Sequence, residues 1–135
     1  YTATRQLDKA LLDRFVIIEM DTLSDEEEYG LLQYMFPSVD SQMLKTVSSI
    51  SFLTRSESKS DNPRIGSGIS TRTSVEIAGL LFDGFSIQES ADITIYPQYD
   101  NDGGVDSERT FVKQIVQKFL DDGSSDDLFD VEEEN

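Results

Sequence analysis

The stretch GSGISTRTSVEIAGLLF, residues 66–82, passes from a loop rich in glycine and serine into an amphipathic helix. Its apolar residues recur at helical spacing, which predicts a helix over 71–82. Ser70 can cap this helix, and Thr73 with Glu76 forms an alternative capping box. The predicted inward face consists of Val75, Ala78, Leu81 and Phe82.

Arg72 falls in the first turn of this predicted helix. The helix dipole disfavours a cation there by about 0.3–1 kcal/mol. An anion held by the free N–H groups of the helix start would account for the arginine, and the alternative is an arginine that faces solvent. Gly66 and Gly68 do not form a phosphate loop, because the chain has no G-x-x-x-x-G-K-[ST] motif.

Upstream, a helix is predicted from the apolar spacing of residues 7–11, and the run Phe15–Ile18 is typical of a buried strand. A single strand needs partners, and no second strong strand follows. The sequence therefore predicts the C-terminal end of an α/β core with a helical subdomain attached. Arg14 lies between helix and strand, where its guanidinium suits a phosphate. The alternative is a weak surface pair with Asp13.

The predicted fold class is mainly α with one or two strands. Two helices open with serine followed three residues later by glutamate, at Ser24–Glu27 and Ser86–Glu89, which is the pattern of a capping box. Besides 71–82, the predicted helices after the strand run from Ser24 to about Phe36, from Val39 to about Leu53, from Ser86 to before Pro97 and from Val105 to Leu120.

The composition excludes several kinds of site. The 135 residues include no His, Cys or Trp, so a zinc site with Cys or His ligands, a Ser-His-Asp triad and disulfides are excluded. The net charge is −16, which argues against direct binding of nucleic acid. No apolar run reaches the roughly 18 residues of a membrane span. We therefore expect no membrane partner and a cytoplasmic location.

The acids are concentrated at the end of the chain. Residues 121–135, DDGSSDDLFDVEEEN, contain eight acids and no base, which predicts a disordered acidic tail. The alternative is a docking motif around Leu128, Phe129 and Val131. Earlier acids at 25–28 and 100–106 are explained by helix capping and a turn, and they lack the spacing of a calcium loop. No metal site is predicted.

Arg14 and Arg72 lie in two longer stretches, ATRQLDKALLDRFVIIEM at 3–20 and GSGISTRTSVEIAGLLFDGFSIQESADITIYPQY at 66–99. A third stretch follows them, SERTFVKQIVQKF at 107–119. Together they resemble MoxR-like and dynein-related AAA+ ATPases of the cobalt-chelatase small-subunit type. The resemblance covers residues 1 to about 120. It implies that 1–22 end the nucleotide-binding core, that 23–120 form the helical lid and that 121–135 lie outside both.

The resemblance also implies roles. Arg14 matches the arginine finger, which acts in trans on the γ-phosphate of a neighbouring subunit, and Arg72 matches sensor 2, which contacts ATP phosphate in its own subunit. The chain has no Walker A lysine motif and no Walker B acids, so ATP and Mg²⁺ would bind through residues not present here. We expect the C-terminal part of a homo-oligomeric, hexameric ring ATPase that remodels a protein partner. The alternative function is a non-catalytic acidic helical module, or a nucleic-acid mimic, that binds a basic partner.

Overall fold

The computed structural model describes residues 23–134, with side chains for 23–121. This part of the chain is mainly helical, as predicted, and contains no strand. The helix predicted from residues 7–11, the strand predicted at 15–18 and Arg14 lie outside the described residues. The helices are α1 (Asp25–Met35), α2 (Ser41–Ser58), α3 (Thr71–Phe82), α4 (Ile87–Thr94) and α5 (Glu108–Glu134), with 3₁₀ turns at Tyr96–Gln98 and Gly104–Asp106.

Serine side chains set the starts of three helices, as the sequence predicts. Ser24 and Glu27 form both bonds of a capping box on α1, at 3.0 and 3.1 Å, and Ser86 forms the same arrangement on α4. On α3 the cap is Ser70, whose hydroxyl accepts from the N–H of Thr73 at 3.2 Å. Of the two caps that the sequence left open for α3, the structure therefore has the Ser70 cap.

Two other helices start later than their apolar pattern predicts. Asp40 caps α2 by accepting from the N–H of Gln42 at 2.9 Å, so the helix begins after Val39. Ser107 accepts from the N–H of Thr110 at 3.1 Å, which places the start of α5 at Glu108. In both cases a capping side chain, rather than the first apolar residue, decides where the helix begins.

The end of α5 also differs from the predicted bound. Its backbone continues through Glu134, whereas the sequence predicts an end near Leu120. Residues 121–134 contain no proline to stop the helix. The side chains from residue 122 onward lie outside the described ones, and the disorder expected for the tail stays a prediction.

All five helices contribute to one apolar core. Helix α2 packs against α1, α3 and α5, and α3 also packs against α4. The inward face predicted for α3 is correct for Ala78 and Leu81, but Phe82 is 42% exposed and its ring lies 6.3 Å from that of Phe36. Ile77 is buried in its place. The core residues from the helices are Leu32, Leu44, Val47, Ile50, Ile77, Ala78, Leu81, Ile87, Ala91, Val112 and Val116.

Hydroxyl side chains are buried where α2 meets α3. The hydroxyls of Ser51 and Ser74 lie 2.6 Å apart across this contact, and both residues are fully buried. Ser48 and Thr54 are buried on the same helix, and each donates to the carbonyl three residues earlier. Ser48, Ser51 and Thr54 of α2 are therefore interior residues whose hydroxyls have hydrogen-bond partners.

Candidate functional site

The sequence-predicted sensor residue lies at the start of α3. Arg72 is the second residue of the helix and its side chain is exposed, while its neighbours Thr71 and Thr73 are buried. The structure therefore places a cation in the first turn, where the partial charge of the helix is positive. Arg14 lies outside the described residues, so its position relative to Arg72 is not described.

A cleft of about 470 Å³ opens beside this helix start, between the end of α2 and the loop 59–70. Arg55 and Lys59 are the two cations among the twelve described residues that line it, and none of the twelve is Asp or Glu. The lining residues are Leu23, Phe52, Arg55, Ser56, Ser58, Lys59, Gly66, Ser67, Gly68, Ile69, Ser70 and Thr71.

Arg55 is anchored from two sides. Its Nη2 donates to Oε1 of Glu28 at 2.6 Å, and its Nε donates to the carbonyl of Ile69 at 2.7 Å. Glu28 is fully buried and the Arg55 side chain is 19% exposed. A buried carboxylate requires such a partner, because its desolvation would otherwise cost several kcal/mol, on the order of 3–5 when one partner is removed. Arg55 therefore joins α1 and α2 to the loop that leads into α3.

Sequence reasoning missed this pair. It assigned Glu28 to the acids at the start of a helix, but the structure buries Glu28 one turn before Leu32, on the core-facing side of α1. The signal available was that a glutamate four residues before a buried leucine shares its helix face. Arg55 likewise follows Ser51 by four residues, along the buried face of α2.

The loop wall of the cleft lies directly on α2. A Cβ atom added to Gly68 would lie 2.5 Å from the Arg55 Cα, so only glycine fits at this approach. The N–H of Ile69 donates to the Thr54 hydroxyl at 2.9 Å. Together with the bond from Arg55, these contacts hold the last loop residues before Ser70 against the helix.

The other side of the loop is held by the C-terminal part of the fold. The Tyr99 hydroxyl donates to the carbonyl of Ser67 at 2.9 Å, and the Glu108 carboxylate accepts from the N–H of Gly66 at 2.6 Å. Burial, followed by the nearby charge of Glu108, raises the pKa of Tyr99 to about 12. The hydroxyl therefore stays protonated, and able to donate, throughout the neutral pH range. Five tertiary hydrogen bonds or close contacts therefore hold the loop in place as a wall of the cleft without a ligand.

Two buried polar atoms have no hydrogen-bond partner among the described residues, Oε2 of Glu28 and Oγ1 of Thr71. An unmet buried hydroxyl costs about 1–3 kcal/mol, and an unmet charged oxygen costs more. Thr71 is 1% exposed and belongs to the lining of the cleft. The Thr71 side chain would have to turn to bring this hydroxyl to a polar ligand in the cleft, because its oxygen is buried as placed.

One carboxylate of the acidic turn before α5 forms a local hydrogen bond. Asp100 accepts from the N–H of Asp102 at 2.9 Å, as in a capped turn. Over residues 23–121, no group of three or more acidic side chains is placed to hold a metal ion. None of the helices in the described range combines the length and the apolar character needed to cross a membrane.

Comparisons of the chain with models of protein families, with curated proteins and with solved structures find no match. The assignment of a function therefore depends on the residues and the geometry themselves. The geometry that bears on it is a capped helix start with an exposed arginine, next to a cleft whose described lining residues include no carboxylate.

Proposed function

We propose that this chain is the C-terminal part of a ring-forming AAA+ ATPase, in which Arg72 is sensor 2 and Arg14 is the arginine finger. The observation that carries the proposal is the placement of Arg72 in the exposed first turn of α3. The helix dipole disfavours a cation there by about 0.3–1 kcal/mol, and an anion bound at the helix start would offset that cost. The phosphates of ATP would be that anion, held jointly by the arginine and by the helix start.

The two arginines would act on the same kind of charge from different subunits. Phosphoryl transfer spreads negative charge over the oxygens of the γ-phosphate, and a well-placed arginine accelerates it by about 10³–10⁵. Arg14 would contact this group in trans and Arg72 in cis. Mg²⁺ would be held by Walker residues, which this sequence does not contain. The complete protein would be a homo-oligomeric ring, a hexamer in this class, and would couple hydrolysis to remodelling of a protein partner.

Tethered subunits of the complete protein test the proposal. A subunit that carries Arg14→Ala, joined to a Walker-dead partner, should keep hydrolysis, because its own site receives the partner's finger. A subunit that carries Arg72→Ala in the same arrangement should lose it. When each substitution is instead placed on the Walker-dead subunit, beside a wild-type one, the results should reverse.

The control is Lys45→Ala, which removes an exposed cation from α2 and should leave hydrolysis unchanged in both arrangements. If Arg14→Ala and Arg72→Ala affect the same site, or if neither affects hydrolysis, the assignment of the two arginines is wrong.

A second function is favoured by the charge. With a net charge of −16, half of it in residues 121–135, the chain suits an acidic helical module that binds a basic partner. The coding sequence upstream of Tyr1 separates the two functions. A Walker A motif there supports the ATPase, whereas a start codon at or near Tyr1 supports the module.

A further inference from the structure

We infer that the cleft between the end of α2 and the start of α3 binds a phosphate group through Lys59 and Arg55, at a place separate from Arg72. This inference does not depend on the proposed ATPase. It rests on the two cations that line the cleft, and on donors of Arg55 and a hydroxyl of Thr71 for which the described residues provide no partner.

The charge of the cleft is opposite to that of the chain. The protein has 27 acids and 11 bases. The described residues that line the cleft nevertheless include two cations, Arg55 and Lys59, and no Asp or Glu. Buried Glu28 offsets one of the two positive charges. The end of α2 and the start of α3 contribute opposite half-charges, which largely cancel. The Glu108 carboxylate does not line the cleft, but it bonds to the N–H of Gly66 in its wall at 2.6 Å and so reduces the remaining positive charge. The charged groups among the described lining residues are nevertheless two cations and no carboxylate, which favours an anion over a cation.

Arg55 supplies hydrogen-bond donors that are already positioned. A guanidinium has five N–H donors, and within the described part of the chain two of them are used, for Glu28 and for the carbonyl of Ile69. Three remain on a side chain that lines the cleft. Because the guanidinium is held on two sides, binding an oxyanion costs little further side-chain entropy.

Thr71 points to a polar ligand independently of the charges. It lines the cleft and is 1% exposed, and its hydroxyl oxygen has no partner among residues 23–121. Threonine in a helix populates two side-chain rotamers, so this hydroxyl can turn toward an acceptor in the cleft. Phosphate oxygens are hydrogen-bond acceptors, so they suit a hydroxyl that has a proton to donate.

The size of the cleft suits a phosphate group with its water or with an attached small group. Its volume of about 470 Å³ is many times the roughly 30 Å³ that a water molecule occupies. Inorganic phosphate and a small phosphate monoester share the chemistry that Lys59 and Arg55 would recognise.

The test is a titration of the 135-residue chain with sodium phosphate, in which binding is measured from amide NMR chemical shifts. A titration with sodium chloride at equal ionic strength is the control. We expect saturable shifts in residues 67–72 with phosphate only. Lys59→Ala should weaken binding about fivefold, as for one exposed charge pair, and Lys59→Arg should restore it. Lys45→Ala removes the same charge from α2, 14 residues before Lys59, and should not change phosphate binding. A parallel titration uses glycerol 3-phosphate. Tighter binding of this monoester than of inorganic phosphate would indicate that the natural ligand carries its phosphate on a small molecule.

Three results would overturn the inference. The first is the absence of phosphate-specific shifts, and the second is an equal loss in Lys59→Ala and Lys45→Ala. The third is loss of binding in Arg72→Ala with none in Lys59→Ala, which would place the anion on Arg72 and leave the proposed function standing. Lys59 is exposed, so its variants should fold, and their circular dichroism should match that of the wild-type chain. Failure of the tethered-subunit experiment would leave this inference intact.

Discussion

Arg55 and Glu28 form a buried ion pair at 2.6 Å between α2 and α1. The same guanidinium reaches the carbonyl of Ile69, two residues before α3 begins. One side chain thus connects the first two helices with the start of the helix that carries Arg72. The orientation of that helix start depends on a contact between residues 27 positions apart.

Glu28→Gln should destabilise the protein strongly. It removes the charge that compensates Arg55, and breaking a buried pair on one side costs about 3 kcal/mol. Urea unfolding at neutral pH measures the loss. Glu26→Gln is the matched control, because Glu26 is exposed in the same turn and should change stability by less than about 0.5 kcal/mol. Equal effects of the two substitutions would show that the pair contributes nothing beyond surface charge.

Alanine at two glycines should have opposite effects. A Cβ on Gly68 would lie 2.5 Å from the backbone of Arg55, so Gly68→Ala should displace the loop and destabilise the fold by about 1–3 kcal/mol. A Cβ on Gly30 meets nothing within 4 Å inside α1. Gly30→Ala should therefore stabilise the helix by about 0.5–1 kcal/mol. Thermal unfolding of both variants checks the signs, and a Gly68→Ala protein as stable as the wild type would refute the close approach.

Stability should fall at high pH because of Tyr99. Its pKa is raised from 10.0 to about 12 in the folded protein, so the unfolded chain loses this proton first. The contribution of the Tyr99 proton to the free energy of unfolding is complete below pH 10 and is lost as the pH rises from about 10 to 12. Tyr99→Phe, which also removes the bond to Ser67, should be less stable at neutral pH and should show a shallower decline. Urea unfolding between pH 8 and 11.5 compares the two, and parallel curves would contradict the prediction.

The 135-residue chain alone should not hydrolyse ATP. It has no phosphate loop and no Walker B acids, so the groups that position Mg²⁺ and the β- and γ-phosphates are missing. Phosphate release by the wild-type chain should equal that of buffer alone. It should also equal that of the Arg72→Ala chain, which is the matched control. Release above this background that persists through repurification would contradict the proposed division of the active site.

Proteolysis should remove the acidic tail before it cuts elsewhere. Eight acids without a base in residues 121–135 repel one another and offer little apolar surface to repay the cost of ordering the chain. Brief digestion, followed by intact mass, should leave a core ending near Leu120. A tail that resists protease without any partner would show that it is ordered.

Local signals in the sequence determine the starts of α1, α3 and α4. Ser24, Ser70 and Ser86 cap these helices through bonds that span three residues, and such short-range bonds can be predicted from spacing alone. The same holds for most of the apolar face of α5, where Val112 and Val116 are buried as predicted. The placement of Arg72 in a first turn follows directly from the Ser70 cap.

Only tertiary packing determines where the cleft lies and which residues line it. Arg55 and Glu28 are far apart in sequence, and nothing near either residue indicates its partner. The approach of Gly68 to α2 and the bond from Tyr99 to Ser67 likewise join distant segments. Phe82 fits an inward helical pattern but is exposed, because the direction in which α3 meets its neighbours selects Ile77 instead. Hydrogen-bonding along one helix depends on local spacing, whereas the contacts between helices depend on how their faces pack.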